Sequence, residues 1–247
     1  MNYLLPMTSN CVLRNLHEVN IAKDKLKKMG LFPHHGSEKS WDTLKMIDII
    51  SAANSDSNIL DVGCNGSPIL PMLKILGFRN LFGCDFVLRP RYNSTLMKIA
   101  CRFIKKEYLP IVQMYNDDGI KLSIQNLEQT NYTDNVFEFI TSLSVIEHGI
   151  NINEYFKEMA RILKHGGYLL TSTDYWPEKI TNTKKVISDK FPDTIFSREE
   201  IEKIIKTGEK HGLKLIEPMD YTYGDRVVKW KKTGREYTFI FFGMKKE

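Results

Sequence analysis

Apolar residues recur at helical spacing over the first fifty positions and at strand spacing beyond them. Residues 17–29 (HEVNIAKDKLKKM) set Val19, Ile21, Leu26 and Met29 among lysines, which predicts an amphipathic helix closed by Gly30 before the turn LFPHHGS. A second helix is expected from Ser40, whose hydroxyl can cap WDTLKMIDIISAA and whose Trp41, Leu44, Ile47 and Ile50 share one face. From residue 58 short apolar runs are each followed by Gly, Asp or Asn and then by a helical pattern, the alternation of a parallel sheet. NILDV (58–62), NLFGCD (80–85), IKLSIQ (120–125) and FEFITSL (137–143) supply four strands. A helix over 153–167, ending in paired glycines, feeds a fifth, GYLLTST.

A helix over 197–212 opens on a capping box, Ser197 with Glu200. LKLIEPMD (213–220) and REYTFIFFGMKK (235–246) follow as strands, too close in sequence for a helical crossover, so they should pair antiparallel at the sheet edge. The expected fold is α/β and Rossmann-like: seven strands, mostly parallel with one antiparallel edge strand, helices on both faces and an N-terminal helical extension. The chain reads as a single domain, 1–247, with a helical cap over 1–50 and a core over 51–247.

Composition narrows the class without naming a chemistry. With 247 residues, 42% hydrophobic and 26% charged, the chain is globular rather than disordered or disulfide-stapled. No apolar run reaches the ~20 residues of a membrane span, and the first residues lack a basic segment followed by a long apolar stretch. A cytoplasmic protein is expected. Cys11, Cys64, Cys84 and Cys101 form no C-x-x-C pair and read as buried thiols, with no metal site. The net charge of +5 is matched by Arg226–Glu247 alone, where seven Lys and Arg meet two Glu. Such a run reads first as a solvated face.

The sharpest local signal is NILDVGCNGSP, residues 58–68: a buried strand reaches Asp61, then Gly63, then the small-residue turn Asn65-Gly66-Ser67, with Pro68 placed to open a helix. Such a turn lets the backbone approach a ligand and presents a helix N-terminus. Asp85 closes the next strand 22 residues after Gly63, where a carboxylate can accept from both hydroxyls of a ribose.

On these residues the chain resembles the class I S-adenosylmethionine-dependent methyltransferases over about residues 40–247. Asp61 and Gly63 match the family's acidic residue and first glycine; Asn65 and Ser67 stand where its second and third glycines are usual. The resemblance implies S-adenosylmethionine as cofactor, Asp85 as the ribose acid and Phe86 as a neighbour packed on adenine. NYTDNVFEFITSLSVIEHG resembles the family's aromatic-Pro-Asp-x-x-Phe-Asp stretch and its fourth strand ending in Glu-His. Eight residues before Asp134 stands Asn126, where the family commonly has an acid that accepts from the adenine amino group; Leu127 and Ser142 complete the implied cofactor set. EMARILKHGGYLLTST matches its Arg-Ile/Val-Leu-Lys-x-Gly-Gly pattern.

The resemblance further implies an O-methyltransferase acting on a small molecule or a glycan precursor. His148 would be the general base, and Glu147 its orienting partner or a substrate contact. The sugar class leans on STDYWP and its surroundings, and acceptor identity on residues 1–40, 86–119 and 174–196. Three alternatives stand beside it. A nicotinamide dehydrogenase should show G-x-G-x-x-G, which the chain lacks. An RNA or N-methyltransferase has less support, because Ser142-Leu143-Ser144-Val145 stands where Asp/Asn-Pro-Pro-aromatic would mark methylation of a planar nitrogen, and no RNA-binding module is visible. The third is a non-catalytic cofactor-binding protein of the same fold. Homodimer formation is left open.

Overall fold

The structure, a computed structural model, describes residues 10–88, 119–180, 194–230 and 234–247. Most of the expected acceptor rim (86–119 and 174–196), Cys101 and residues 1–9 lie outside them.

Helices α1 (Leu16–Lys28) and α2 (Ser40–Ser51) precede the parallel strands β2 (Asn58–Val62), β3 (Asn80–Asp85), β4 (Ile120–Ile124) and β5 (Phe137–Leu143), with α3 (Ile69–Ile75) between β2 and β3. Helix α4 (Ile152–Ile162), strand β6 (Leu163–Tyr175), helix α5 (Arg198–Lys210) and strands β7 (Leu213–Leu215), β8 (Val228–Trp230) and β9 (Arg235–Lys246) follow. A two-residue strand β1 (Cys11–Val12) comes first in the chain.

The α/β class is as expected, but the described sheet has nine strands, in the order β1-β9-β6-β5-β2-β3-β4 with β7 and β8 also on β9. The reversed strand, β9, is not the edge. It runs antiparallel to β6, and its outer side is covered in turn by β7, β1 and β8. β1 and β8 are too short to show a period in the sequence. β7 is shorter than LKLIEPMD suggested, although its antiparallel pairing with β9 holds.

Strand periodicity sorts the core into two layers. Ile59, Leu81, Leu170, Phe239 and Phe241 pack with α1, α2 and α3 on one face. Leu60, Val62, Cys84, Leu169, Ile240 and Phe242 pack with α4 and α5 on the other. Neighbours in sequence fall on opposite sides, as alternate side chains of a pleated strand must. β5 breaks the rule: Phe137 and Phe139 belong to different layers, because the ladder to β6 jumps from Phe137–Leu163 to Phe139–Tyr168. Four residues, Lys164–Gly167, stand there opposite Glu138 alone, and they contain the paired glycines. The helix therefore ends at Ile162, five residues short of the expected boundary, and Leu163 is already paired as strand.

Two capping expectations divide. Ser197 accepts from the Glu200 amide while the Glu200 side chain accepts from the Ser197 amide, so the box is present. Ser40 does not cap α2. A 3-10 turn, Ser37–Lys39, runs directly into the helix, and the Ser40 hydroxyl instead accepts from the buried His34 amide at 3.1 Å.

Candidate active site

β2 lies at the centre of the sheet, between β3 and β5, and the three end together, with Val62 level with Cys84 and with Ser142. The carboxyl ends of such strands are where open α/β sheets place their ligands. The chain leaves β2 through Gly63, whose amide and that of Cys64 both donate to the Cys84 carbonyl, at 2.8 and 3.2 Å. The turn is thus stitched to the residue before Asp85. Gly63 has φ +68, and a Cβ there would lie 2.5 Å from Val145 Cγ2. No side chain fits. Gly66 also takes positive φ; Asn65 does not, since among the described non-glycine residues only Asn135 and Ser144 do.

Asp85, at the end of β3, accepts from the Asn65 amide at 3.1 Å and at 3.5 Å from the Val87 amide. Two backbone donors fix its orientation and leave lone pairs for a ligand. Asp61 is wholly buried below the turn. One of its oxygens accepts from the Thr141 hydroxyl at 2.7 Å, while the other completes no hydrogen bond among the described residues. Burial pushes this carboxyl up to about 7, opposed by the Ser67 and Thr141 hydroxyls. The thiols of Cys64 and Cys84 are likewise pushed up by burial, which keeps them neutral.

A cleft of about 330 Å³ opens over these strand ends, and Gly63, Asn65, Asp85, Phe86, Leu127 and His148, all predicted from sequence, line it. Val87, Ser144, Val145 and Ile150 line it too and were not predicted. Besides Asp61, buried below the turn, four predicted residues fall elsewhere. Gly66 shapes the turn from behind. Ser142 is wholly buried in the sheet against Tyr155 of α4, whereas Ser144 lies beyond the end of β5, with φ +54, and lines the opening. Asn126 uses its side-chain oxygen to accept from the Glu128 amide at 3.0 Å and borders a separate polar hollow with Glu158 and Arg161; its neighbour Leu127 faces the cleft. Glu147 is the fourth.

Glu147 follows β5 in a 3-10 turn, Ile146–His148, and is 1% exposed. Its carboxylate accepts from the Thr173 hydroxyl of β6 at 2.8 Å, turned into the sheet end rather than toward the cleft. It belongs to a polar cluster drawn from four elements. Asp174 closes β6 beside it, and Asp42 of α2 accepts from the Ser172 hydroxyl at 2.6 Å. Lys39, on the turn before α2, donates to the Ser144 hydroxyl and lies 4.4 Å above the Phe239 ring. Burial pushes Asp42 up to about 6, and burial with the Glu147 charge pushes Asp174 up to about 7. Glu147 is raised by burial too, and Lys39 pulls all three back down. His148, exposed at the cleft, lowers Asp174.

Residues 39–217 match the family described as a methyltransferase domain. The chain belongs to that family. This methyltransferase-family chain is 26% identical over 163 residues to a mitochondrial ubiquinone biosynthesis O-methyltransferase of Dictyostelium discoideum, covering 66% of this chain and 46% of that protein. It is 31% identical over 131 residues to the ubiquinone biosynthesis O-methyltransferase of Rickettsia bellii, covering 53% and 45%. The chain thus spans about half the length of the curated relatives it matches. Its fold is similar to that of geranyl diphosphate C-methyltransferase from Streptomyces coelicolor A3(2), solved with S-adenosyl-L-homocysteine: TM-score 0.56 at 15% identity, over 84% of this chain and 78% of that one.

Proposed function

We propose that the chain is an S-adenosylmethionine-dependent methyltransferase that methylates a hydroxyl of a small molecule. One observation carries this: a single cleft holds the Gly63 turn and Asp85 at one end and His148 at the other. The cofactor fits the residues present. Asp85 would accept from ribose hydroxyls, Gly63 and Asn65 would bring the backbone of the turn against the ligand, and the buried Asp61 carboxyl lies beneath the turn. Phe86 is 42% exposed, and with Leu127 it supplies an apolar wall suited to a purine.

When bound, S-adenosylmethionine supplies an electrophilic methyl group on a sulfonium. The chain's own residues align the acceptor, exclude water and remove its proton. His148 takes that proton, because a neutral imidazole is the side chain best matched to the task near pH 7. Oxygen as the acceptor atom is supported by the O-methyltransferase names of the relatives. Of the STDYWP segment, Tyr175 is wholly buried and Trp176 is packed beneath Arg226 and against Tyr223, so neither offers an open face to a sugar. No helix among the described residues is long and apolar enough to cross a membrane.

Isothermal titration tests the core of this reading. Heat is expected with S-adenosylmethionine and with S-adenosylhomocysteine in metal-free buffer, followed by transfer of a labelled methyl group to a component of a small-molecule extract. Heat with NADH and with neither sulfur nucleoside would overturn it.

A further inference from the structure

The acceptor end of the cleft is built around one cation. Lys39 comes from the turn before α2, ahead of the first parallel strand, yet its ammonium reaches Ser144 in the cleft wall and is braced on the Phe239 ring. Around it stand three carboxyls from three elements: Asp42 on α2, Glu147 after β5 and Asp174 at the end of β6. Asp42 and Glu147 are each anchored by a strand hydroxyl, Ser172 and Thr173. All three are less than a tenth exposed. Ser144 holds φ +54, a conformation a serine rarely adopts, which shows that the loop between β5 and His148 is held by its contacts rather than by local preference.

Two buried carboxyls side by side cannot both ionise without a nearby cation. We propose that Lys39 is a positioning residue for the transfer: its charge favours ionisation of the Glu147–Asp174 pair behind the cleft wall, so that the imidazolium formed on His148 is stabilised. The proposal rests on the methyl-transfer reading above. As the acceptor oxygen gains the methyl group and the sulfonium–methyl bond breaks, the hydroxyl proton passes to His148. A negative charge at Asp174 favours the resulting imidazolium, as a buried aspartate does for histidine in hydrolytic triads. The exposed imidazole then returns the proton to solvent. The groups facing Asp174 are Glu147 and His148 from the loop after β5, Lys39 from the turn before α2, and Tyr237 from β9. Lys39 is the one of these whose charge favours ionisation of the pair when His148 is neutral.

The test reads the carboxyls directly, in the full chain without cofactor. The Asp174 carboxyl carbon, assigned by its loss in Asp174→Asn, is titrated by NMR in the wild type, Lys39→Met, Lys39→Gln and Lys39→Arg. Glutamine keeps a donor for Ser144 without the charge, and arginine keeps the charge. The Asp174 midpoint is expected to rise by about one pH unit in both neutral variants and to stay near the wild-type value in the arginine variant. A midpoint unmoved in Lys39→Gln, or raised equally in Lys39→Arg, overturns the proposal. If Lys39→Met fails to fold, the glutamine and arginine variants decide alone. With an acceptor in hand, Lys39→Gln should lose about tenfold in kcat at pH 7 and recover to within about threefold at pH 9. Equal loss at every pH would mark a merely structural tie. Absence of cofactor binding in the wild type would sink the methyl-transfer reading and leave the midpoint result standing.

Discussion

The two ends of the cleft handle charge in opposite ways. At the cofactor end Asp85 is only partly buried, is oriented by backbone amides and sits in a turn contributed by two adjacent strands. At the acceptor end three carboxyls are buried and set around a lysine, two of them accepting from β6 hydroxyls. Two amides hold the Asp85 carboxylate in place as a template, and of the carboxyls at the cofactor end Asp61, buried beneath the turn, is the one pushed up by burial. Buried carboxyls take their state from one another and from Lys39. The acceptor end therefore responds to pH and to single charge changes, and chemistry that moves a proton belongs there.

The sharpest way to separate the ends is to remove the proton acceptor. His148→Ala should lower turnover by roughly 10² to 10⁴, the contribution of a positioned general base, while cofactor affinity measured by calorimetry stays within a few fold. Equal turnover in the alanine variant would move the base to another group, with Asp174 the next candidate. Next in size is Gly63→Ala. An added Cβ would overlap Val145 Cγ2 and impose φ +68 on an alanine, so a loss of ~3 to 4 kcal/mol in stability is expected on denaturant unfolding, together with loss of cofactor binding. Gly63→Ala with Val145→Ala should recover the steric share and leave the backbone share. Full tolerance of the single variant would place the turn away from the ligand.

Asp85→Ala should weaken cofactor affinity by ~2 to 3 kcal/mol, since two hydroxyls lose a charged acceptor, with little change in fold stability because the side chain is bonded only to amides of its own turn and loop. Unchanged affinity would remove the template role from the cofactor end.

How far each end could be read from sequence follows from the same contrast. Asp61, Gly63 and Asp85 lie on two successive strands with one short helix between them, so spacing alone places them together, and the α/β alternation that frames them is periodic and visible. The acceptor cluster joins residues 39, 42, 147 and 174, which only the packing of α2 over the ends of β5 and β6 brings within reach. No sequence motif marks Lys39 or Asp42; a signal was present in the apolar-rich sequence WDTLKMIDII, where a polar residue on a helix buried on most sides must find partners. Ser144 was missed because it reaches the cleft through a left-handed backbone just past the end of β5, which strand periodicity does not foretell. The β6 boundary was missed because Gly166-Gly167 serve a jump in register rather than a helix end, and both uses of paired glycines look alike in sequence. β1 and β8 are added to β9 by tertiary pairing alone.

The smallest expected effect bears on stability rather than turnover. Asp42 is wholly buried, accepts from the Ser172 hydroxyl at 2.6 Å and the Thr43 amide at 2.9 Å, and is still pushed up to about 6 because desolvation outweighs those bonds and the pull of Lys39. A carboxyl whose pKa is higher folded than unfolded contributes its stability in full below the unfolded value, near 4, and loses it as pH rises through about 6. Above that range the native state carries a buried charge it accommodates at a cost. Asp42→Asn keeps the size and an acceptor oxygen while removing the charge, so it should stabilise the chain by ~1 to 2 kcal/mol at pH 8, less than the full linkage because Lys39 loses a partner. At pH 4 the two proteins should agree to within ~0.5 kcal/mol, since both are then neutral at this position. Guanidinium unfolding at the two pH values measures the difference. A variant less stable than wild type at pH 8 would mean that attraction to Lys39 exceeds desolvation, and the acceptor end would then hold its charge as firmly as the cofactor end does.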